Sequence, residues 1–390
     1  MPPARPSYWP QRVFVTRDAS DDALTQRVLS RLGDVEVVHL DRRADPVTET
    51  DFGADAANDA SRFDLGKRTL LLTRHEGGWM ERCPAGSGNL VCCNLWTVNP
   101  GEGCPLDCSY CYLQSYLKRN PTLKLFTNIP DMLSTIEAAA NAEPSRLFRI
   151  GTGETIDSLV WDPLTDLSSE LVPLFGRLSN ALLELKTKTA LVDQLVDLRS
   201  EHNGRTVVSW SLNARVVTER EEVWTAALED RILAAARCVE AGYRVGFHFD
   251  PLIDFDGWQD AYRETVDLIF ASVPASRIAW ISLGTLRYKR EMQQVMRERF
   301  PKSTVSLGEQ QLGSDNKMRY CQPMRLRLLR FMWDSLKERS ADLPVYMCME
   351  GASSWRAVSE CSSSEDASLV EIISRKGRTD GAAAEGVFLQ

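Results

Sequence analysis

Cys104, Cys108 and Cys111 put three thiols within eight positions of the stretch GEGCPLDCSYCYLQSYL (101–117). Thiolates at i, i+4 and i+7 converge on one centre if the backbone curls around it, and Gly101, Gly103 and Pro105 allow such a curl. A closed zinc site asks for a fourth Cys or His. None of the four histidines (His39, His75, His202, His248) is close in sequence, so Cys83, Cys92 or Cys93 would have to complete it. A cubic iron-sulfur cluster suits the triad better. Three of its irons are tied to protein thiolates, and the fourth keeps an open coordination position where chemistry can occur, unlike an electron carrier with four cysteines.

The elements that must hold such a centre alternate along the chain. Runs at 93–98, 146–150, 181–187, 205–212, 243–249 and 277–283 read as strands, with amphipathic helical patterns at 131–142, 191–201 and 228–242. This alternation implies an α/β fold with a parallel sheet, either a barrel or an open doubly wound sheet, with ligands at the C-terminal ends of its strands. Ahead of it lies a small α/β region (1–80), with strands at 12–15, 35–40 and 67–75, a helix near 21–32, and a polar linker at 42–61. The barrel-like part spans 81–300. An extension (301–374) contains a long helix at 322–338 and a strand at 344–349, and a Gly/Ala-rich tail (375–390) reads as disordered.

With 390 residues, 43% hydrophobic and 26% charged, the chain has a globular composition. Its net charge of -8 offers no global attraction to nucleic acid or anionic membrane, so such a partner would need a local basic surface. No stretch approaches the roughly 18 uninterrupted apolar residues of a membrane span, and the N-terminus lacks the apolar run of a signal peptide. The expectation is a cytoplasmic protein without a membrane partner. Its ten cysteines are then ligands, redox groups or buried apolar residues rather than disulfides.

The C-x₃-C-x₂-C spacing after a first strand, with an aromatic residue beside the third Cys, resembles the signature of the radical S-adenosylmethionine superfamily. The resemblance implies a partial (β/α)6 TIM-like barrel of the radical SAM type. It also implies a 4Fe-4S cluster on Cys104, Cys108 and Cys111, with S-adenosyl-L-methionine held at the open iron and cleaved to a 5′-deoxyadenosyl radical. The electron would come from a donor such as flavodoxin or ferredoxin. A cofactor with an ammonium, a carboxylate, a ribose and an adenine needs polar groups at several strand ends. Glu154 in GTGET resembles the superfamily's Gly-Gly-Glu element. Lys186 could pair with the carboxylate, Ser209, Ser211 and Asn213 offer hydroxyl and amide groups, and His248 stands with Asp250 at the fifth strand end. Each taken alone reads equally well as a strand-end group touching water, and their recurrence at successive strands is the signal. Glu154, Lys186 and Ser211 rank first.

Within the superfamily the chain resembles the spore photoproduct lyase family through CSYCYLQSYL (108–117), SWSLNA (209–214), AGYRVGFHFDPLI (241–253), GWQDAYRE (257–264) and YMCME (346–350), in that order. That resemblance implies hydrogen abstraction from a thymine photolesion in DNA, with a protein thiol returning hydrogen through tyrosines. Tyr110 and Tyr112 match the tyrosines in position. The donor cysteine of the family falls where this chain has Glu154, which leaves Cys348 or Cys321 as candidate donors, a different way of quenching the radical, or another substrate. A basic stretch (316–330) offers Arg319 and Arg325 to phosphate and Tyr320 to a base, although an amphipathic helix explains it as well. The alternatives are radical chemistry on a nucleotide, peptide or small metabolite, and a cluster protein that binds nucleic acid without turnover.

Overall fold

The computed structural model describes residues 6, 8–43, 46–49, 59–83, 90–91, 93–117, 120–313 and 315–359. The expected disordered tail, Cys92 and most of the expected linker lie outside these residues. Short helices, Pro46–Glu49 and Asp59–Gly66, bracket the linker stretch.

Six strands form where the sequence pattern places them: Leu95–Val98, Phe148–Gly151, Ala181–Thr187, Thr206–Ser211, Arg244–Leu252 and Ile278–Thr285. They pair in parallel and in chain order, without the reversal that an open doubly wound sheet requires. The fold is therefore a curled half-barrel. From the third strand onward nearly every residue is buried, because helices cover one face and the barrel interior takes the other. The covering helices include Ile129–Ala142, Ser168–Arg177, Leu228–Glu240 and Trp258–Ser272.

The sequence reading assigned the strand near 344–349 to a separate extension. Val345–Met347 instead pairs in parallel with Ile281–Leu283 and continues the barrel sheet as its seventh parallel strand. A short antiparallel strand, Met80–Arg82, forms the opposite edge. The helix Gln322–Arg339 carries the chain back to reach that last position.

The N-terminal part builds its own sheet, in the order Glu36–Leu40, Arg12–Thr16, Thr69–Thr73, Leu123–Phe126 and Gly101–Glu102. The last pair is the start of the three-cysteine loop. Gly101–Glu102 opens that loop and Leu123–Phe126 follows it, so the lead-in sheet holds both of its ends, while the barrel strand Leu95–Val98 leads into it. Among the described residues no helix is long and apolar enough to cross a membrane.

Candidate active site

The three-cysteine loop leaves the first barrel strand and is held from several sides. A Cβ on Gly101 would lie 2.3 Å from the Lys124 carbonyl oxygen, and Gly103 adopts a φ of +89° where a Cβ would lie 2.7 Å from the Leu123 side chain. Both positions exclude larger residues, so the tight curl depends on these glycines. Lys67 donates from Nζ to the Cys104 and Leu106 carbonyls at 2.8 and 2.6 Å. Arg299 pairs with Asp64 and Asp107 and donates to Gln114 Oε1. Gln114 in turn donates to the Cys108 and Ser109 carbonyls. On the other side, Cys108 bridges to Glu222 in an antiparallel pair.

The three thiols are close enough for Cys108 to feel the charge of both others. Burial pushes Cys104 up to about 12, with Asp157 adding to it and Lys67 opposing. Burial likewise raises Cys108 and Cys111. Among the described residues no three His, Cys, Asp or Glu side chains gather around a single metal ion. Three thiolates that each bind a different iron of a cube do not have to meet at one point. Soft sulfur donors on a glycine-tightened curl fit an iron-sulfur cluster better than a hard cation.

The two tyrosines flanking Cys111 are placed differently. Tyr110 is buried, and its hydroxyl donates to Glu222 and accepts from Lys188 Nζ at 3.2 Å. Arg231, fully buried, stands 2.6 Å from the other Glu222 oxygen. Burial alone would raise the Glu222 carboxyl, but Arg231 and Lys188 outweigh it and draw it down to about 2. Tyr112 is 44% exposed, donates to the Glu154 carbonyl at 2.6 Å and meets Tyr116 edge to face.

The candidates at the strand ends divide into two sets. Ser209 donates to Glu184 Oε1 at 2.9 Å, and His248 Nε2 lies 2.8 Å from the same oxygen. Trp280 donates to it as well, while Arg149 grips Oε2 through two nitrogens. Burial opposes the Glu184 charge, but Arg149 and His248 overcome it and hold the carboxyl far below its usual range. Ser209 and His248 are therefore members of a buried polar layer inside the barrel and not free mouth groups. Asn213 is 1% exposed, donates to the Pro251 carbonyl and accepts from Tyr262. It ties the fourth strand end to the fifth, so the contact expected with a cofactor does not match its setting.

Glu154, Lys186 and Ser211 form the second set. Among the described residues, no hydrogen bond or ion pair takes up the Glu154 carboxylate, the Lys186 ammonium or the Ser211 hydroxyl. The Lys186 charge still acts on Glu184, His248 and Asp250. Above them Asp250 holds Arg287 through two 2.9 Å contacts, and Arg287 reaches Cys348 Sγ at 3.8 Å. Cys348 lies at the mouth, whereas Cys321 caps the helix Gln322–Arg339 with its carbonyl accepting from the Arg325 N–H.

Three members of the basic stretch, Arg319, Tyr320 and Arg325, turn inward, while Arg327 and Arg330 stay exposed. Tyr320 is 2% exposed, with its hydroxyl accepting from the Asp254 N–H, so the ring cannot stack on a base where it stands. Arg319 pairs with Asp315, and Arg325 with Glu350. Sequence reasoning missed Arg149, Glu184, Glu222, Arg231, Lys67 and Arg299. Arg149 and Glu184 left a signal, as charged residues inside otherwise apolar strand runs.

A family model described as spore photoproduct lyase matches residues 8–322. The curated spore photoproduct lyase of Bacillus subtilis is 29% identical over 210 residues, 53% of this chain and 61% of that protein. The one from a Geobacillus species is 27% identical over 216 residues, 55% of this chain and 63% of that protein. The aligned stretch thus spans about six tenths of these two relatives. A solved structure of a spore photoproduct lyase mutant, with bound AdoMet and dinucleoside spore photoproduct, superposes with a TM-score of 0.74 at 22% identity. It covers 88% of this chain and 100% of that one, so the half-barrel and the lead-in sheet are shared. With the match running from the lead-in sheet through the cysteine loop to the start of the last long helix, the chain belongs to the spore photoproduct lyase family.

Proposed function

We propose that the protein is a radical SAM enzyme that binds a 4Fe-4S cluster through Cys104, Cys108 and Cys111 and S-adenosyl-L-methionine at the barrel mouth. The observation that carries this is three neighbouring thiols, Cys108 buried and Cys104 and Cys111 half-buried, on the glycine-tightened loop after the first barrel strand, in a chain of this family. When bound, the cluster and S-adenosyl-L-methionine together supply a hydrogen-abstracting 5′-deoxyadenosyl radical. Glu154 accepts from the ammonium of the cofactor, Lys186 pairs with its carboxylate, and Ser211 donates to a carboxylate or ribose oxygen. The Glu184 layer keeps the barrel interior rigid beneath them. Tyr110, wired to Lys188 and Glu222, can hold a hydroxyl proton close to the cluster loop, and Tyr112 stands at the surface beside Glu154.

The first substrate to test is a thymine photolesion in DNA, since a related structure holds dinucleoside spore photoproduct. A non-DNA substrate is the second reading. It is favoured by the net charge of -8 and by the inward pairing of Arg319 and Arg325. Anaerobic reconstitution, reduction and addition of S-adenosyl-L-methionine should release 5′-deoxyadenosine, and Cys108→Ala should release none. Equal release from both proteins, or release from neither, contradicts the proposal. Ultraviolet-damaged DNA left unrepaired while 5′-deoxyadenosine forms selects the second reading.

A further inference from the structure

The chain that leaves the fourth barrel strand returns to the cysteine loop from the barrel side. After the short helix Arg215–Glu221, the pair Glu222–Val223 runs antiparallel to Asp107–Cys108, with Glu222 directly opposite Cys108. Opposite residues of an antiparallel pair share a face, with Cβ atoms about 4.5–5.5 Å apart. The Glu222 and Cys108 side chains therefore start side by side. The ribbon is pinned there, since the Ser109 N–H donates to the Glu221 carbonyl at 2.8 Å and the Ser109 hydroxyl donates to the Glu221 carboxylate.

Three donors from three parts of the chain fix the Glu222 carboxylate. Lys188 Nζ lies 2.8 Å from Oε1, which also accepts from the Tyr110 hydroxyl, and Arg231 reaches Oε2 at 2.6 Å. Arg231 in turn donates to the Ser211 carbonyl at 2.8 Å and to the Ala226 carbonyl at 2.9 Å, which ties this corner to the barrel wall. The Glu222 and Arg231 side chains are fully buried and that of Lys188 is mostly so. Apolar groups of the same volume commonly fill such a corner without loss of stability. What they do not supply is a fixed negative and a fixed positive charge beside a ligand cysteine. The Cys108 thiol, raised first by burial, is drawn down by Lys188 and pushed up by Glu222.

On the reading that Cys104, Cys108 and Cys111 bind a cluster, we infer that Glu222 and Lys188 set its reduction potential from opposite sides, Glu222 lowering it and Lys188 raising it. Reduction brings one electron from an external low-potential donor, breaks no bond and leaves the cluster one unit more negative. The Glu222 carboxylate repels that added charge and the Lys188 ammonium attracts it. At an effective dielectric constant of about 20, a unit charge within roughly 10 Å is enough to shift a one-electron equilibrium by about tenfold. Charge and hydrogen bonding around the ligand sulfurs are the means by which a protein tunes such a centre. Neither residue is a catalytic residue, since both act through space on the loop that Cys108 belongs to.

The test uses the full-length chain reconstituted without oxygen from iron and sulfide, with no S-adenosyl-L-methionine present. Iron is counted first, and the reduced fraction is then followed by electron paramagnetic resonance in a dye-mediated dithionite titration. Glu222→Gln should favour the reduced state by about tenfold, a rise of about 59 mV in the midpoint, and Lys188→Met should disfavour it by a similar factor. A merely structural ion group does not produce two shifts of opposite sign. Equilibria for both variants within about twofold of the native one, or midpoints that move the same way, overturn the inference. If Glu222→Gln does not fold, Lys188→Met decides alone, a fall in the midpoint supporting the inference and an unchanged or higher midpoint overturning it. A native chain that takes up no iron overturns the cluster reading itself, so the iron count tells the two failures apart.

Discussion

The inside of the half-barrel and its mouth carry the same kinds of polar residue in opposite conditions. Inside, Glu184 is bound by Arg149, Ser209, His248 and Trp280, and each partner comes from a different strand. At the mouth, further along the same strands or just past their ends, the Glu154 carboxylate, the Lys186 ammonium and the Ser211 hydroxyl have no hydrogen-bond or ion-pair partner among the described residues. A buried charge is tolerable only when it is paired and hydrogen-bonded. The interior layer meets that requirement with its own side chains. The mouth leaves an anion, a cation and a hydroxyl for something else to satisfy, as a zwitterionic cofactor would.

Breaking the interior layer should have the largest effect. Glu184→Gln leaves Arg149 buried without a counter-charge and should cost about 3–5 kcal/mol. Urea unfolding followed by circular dichroism would read this, and a loss under 1 kcal/mol would mean that the layer is not structural. Glu222→Gln sharpens the same point through pH. The folded Glu222 carboxyl sits near 2 and its ordinary value is 4.5, so its contribution is full above 4.5 and is lost as pH falls from 4.5 to about 2. The variant should therefore be less stable at pH 7 and should lose less stability than the native chain across that window. Acid titrations that run parallel for the two proteins would contradict this.

At the mouth the expectation reverses. Lys186→Ala should change stability by less than about 1 kcal/mol, since no partner is orphaned. Its affinity for S-adenosyl-L-methionine should fall by about tenfold or more, as expected for a lost charge-assisted contact. Calorimetry on the reconstituted protein separates the two outcomes. The smallest effect belongs to Arg319→Ala, which loses only its pairing with Asp315. DNA retention on a filter should stay within about twofold of the native chain, and a drop with a reduced salt slope would restore Arg319 as a phosphate contact.

The comparison also explains what could be read from sequence. The six strands were legible because each is a largely apolar run between helical or turn-rich segments, and the cysteine triad because its members lie within eight positions. Glu154, Lys186 and Ser211 were legible as polar residues at consecutive strand ends. Nothing local told Ser209 from Ser211, however. Their difference lies in Glu184, which is 25 residues before Ser209 and reaches it only through the register of two parallel strands. Asn213 was misread for the same reason, since its partners Pro251 and Tyr262 come from the next barrel unit. Tyr320 looked like a surface aromatic among arginines. Its burial follows from the antiparallel pairing of Lys317–Tyr320 with Arg287–Lys289 and Gln310–Leu312, which a sequence pattern of short polar strands does not reveal.

The central claim is that three thiolates hold a cube of iron and sulfur with one iron left for S-adenosyl-L-methionine. Electron paramagnetic resonance of the reconstituted, reduced protein tests it most directly, recorded with and without S-adenosyl-L-methionine. The account predicts a 4Fe-4S signal that shifts when S-adenosyl-L-methionine is added and that is absent from Cys108→Ala. A signal indifferent to S-adenosyl-L-methionine, or a protein that takes up zinc and no iron, would contradict it.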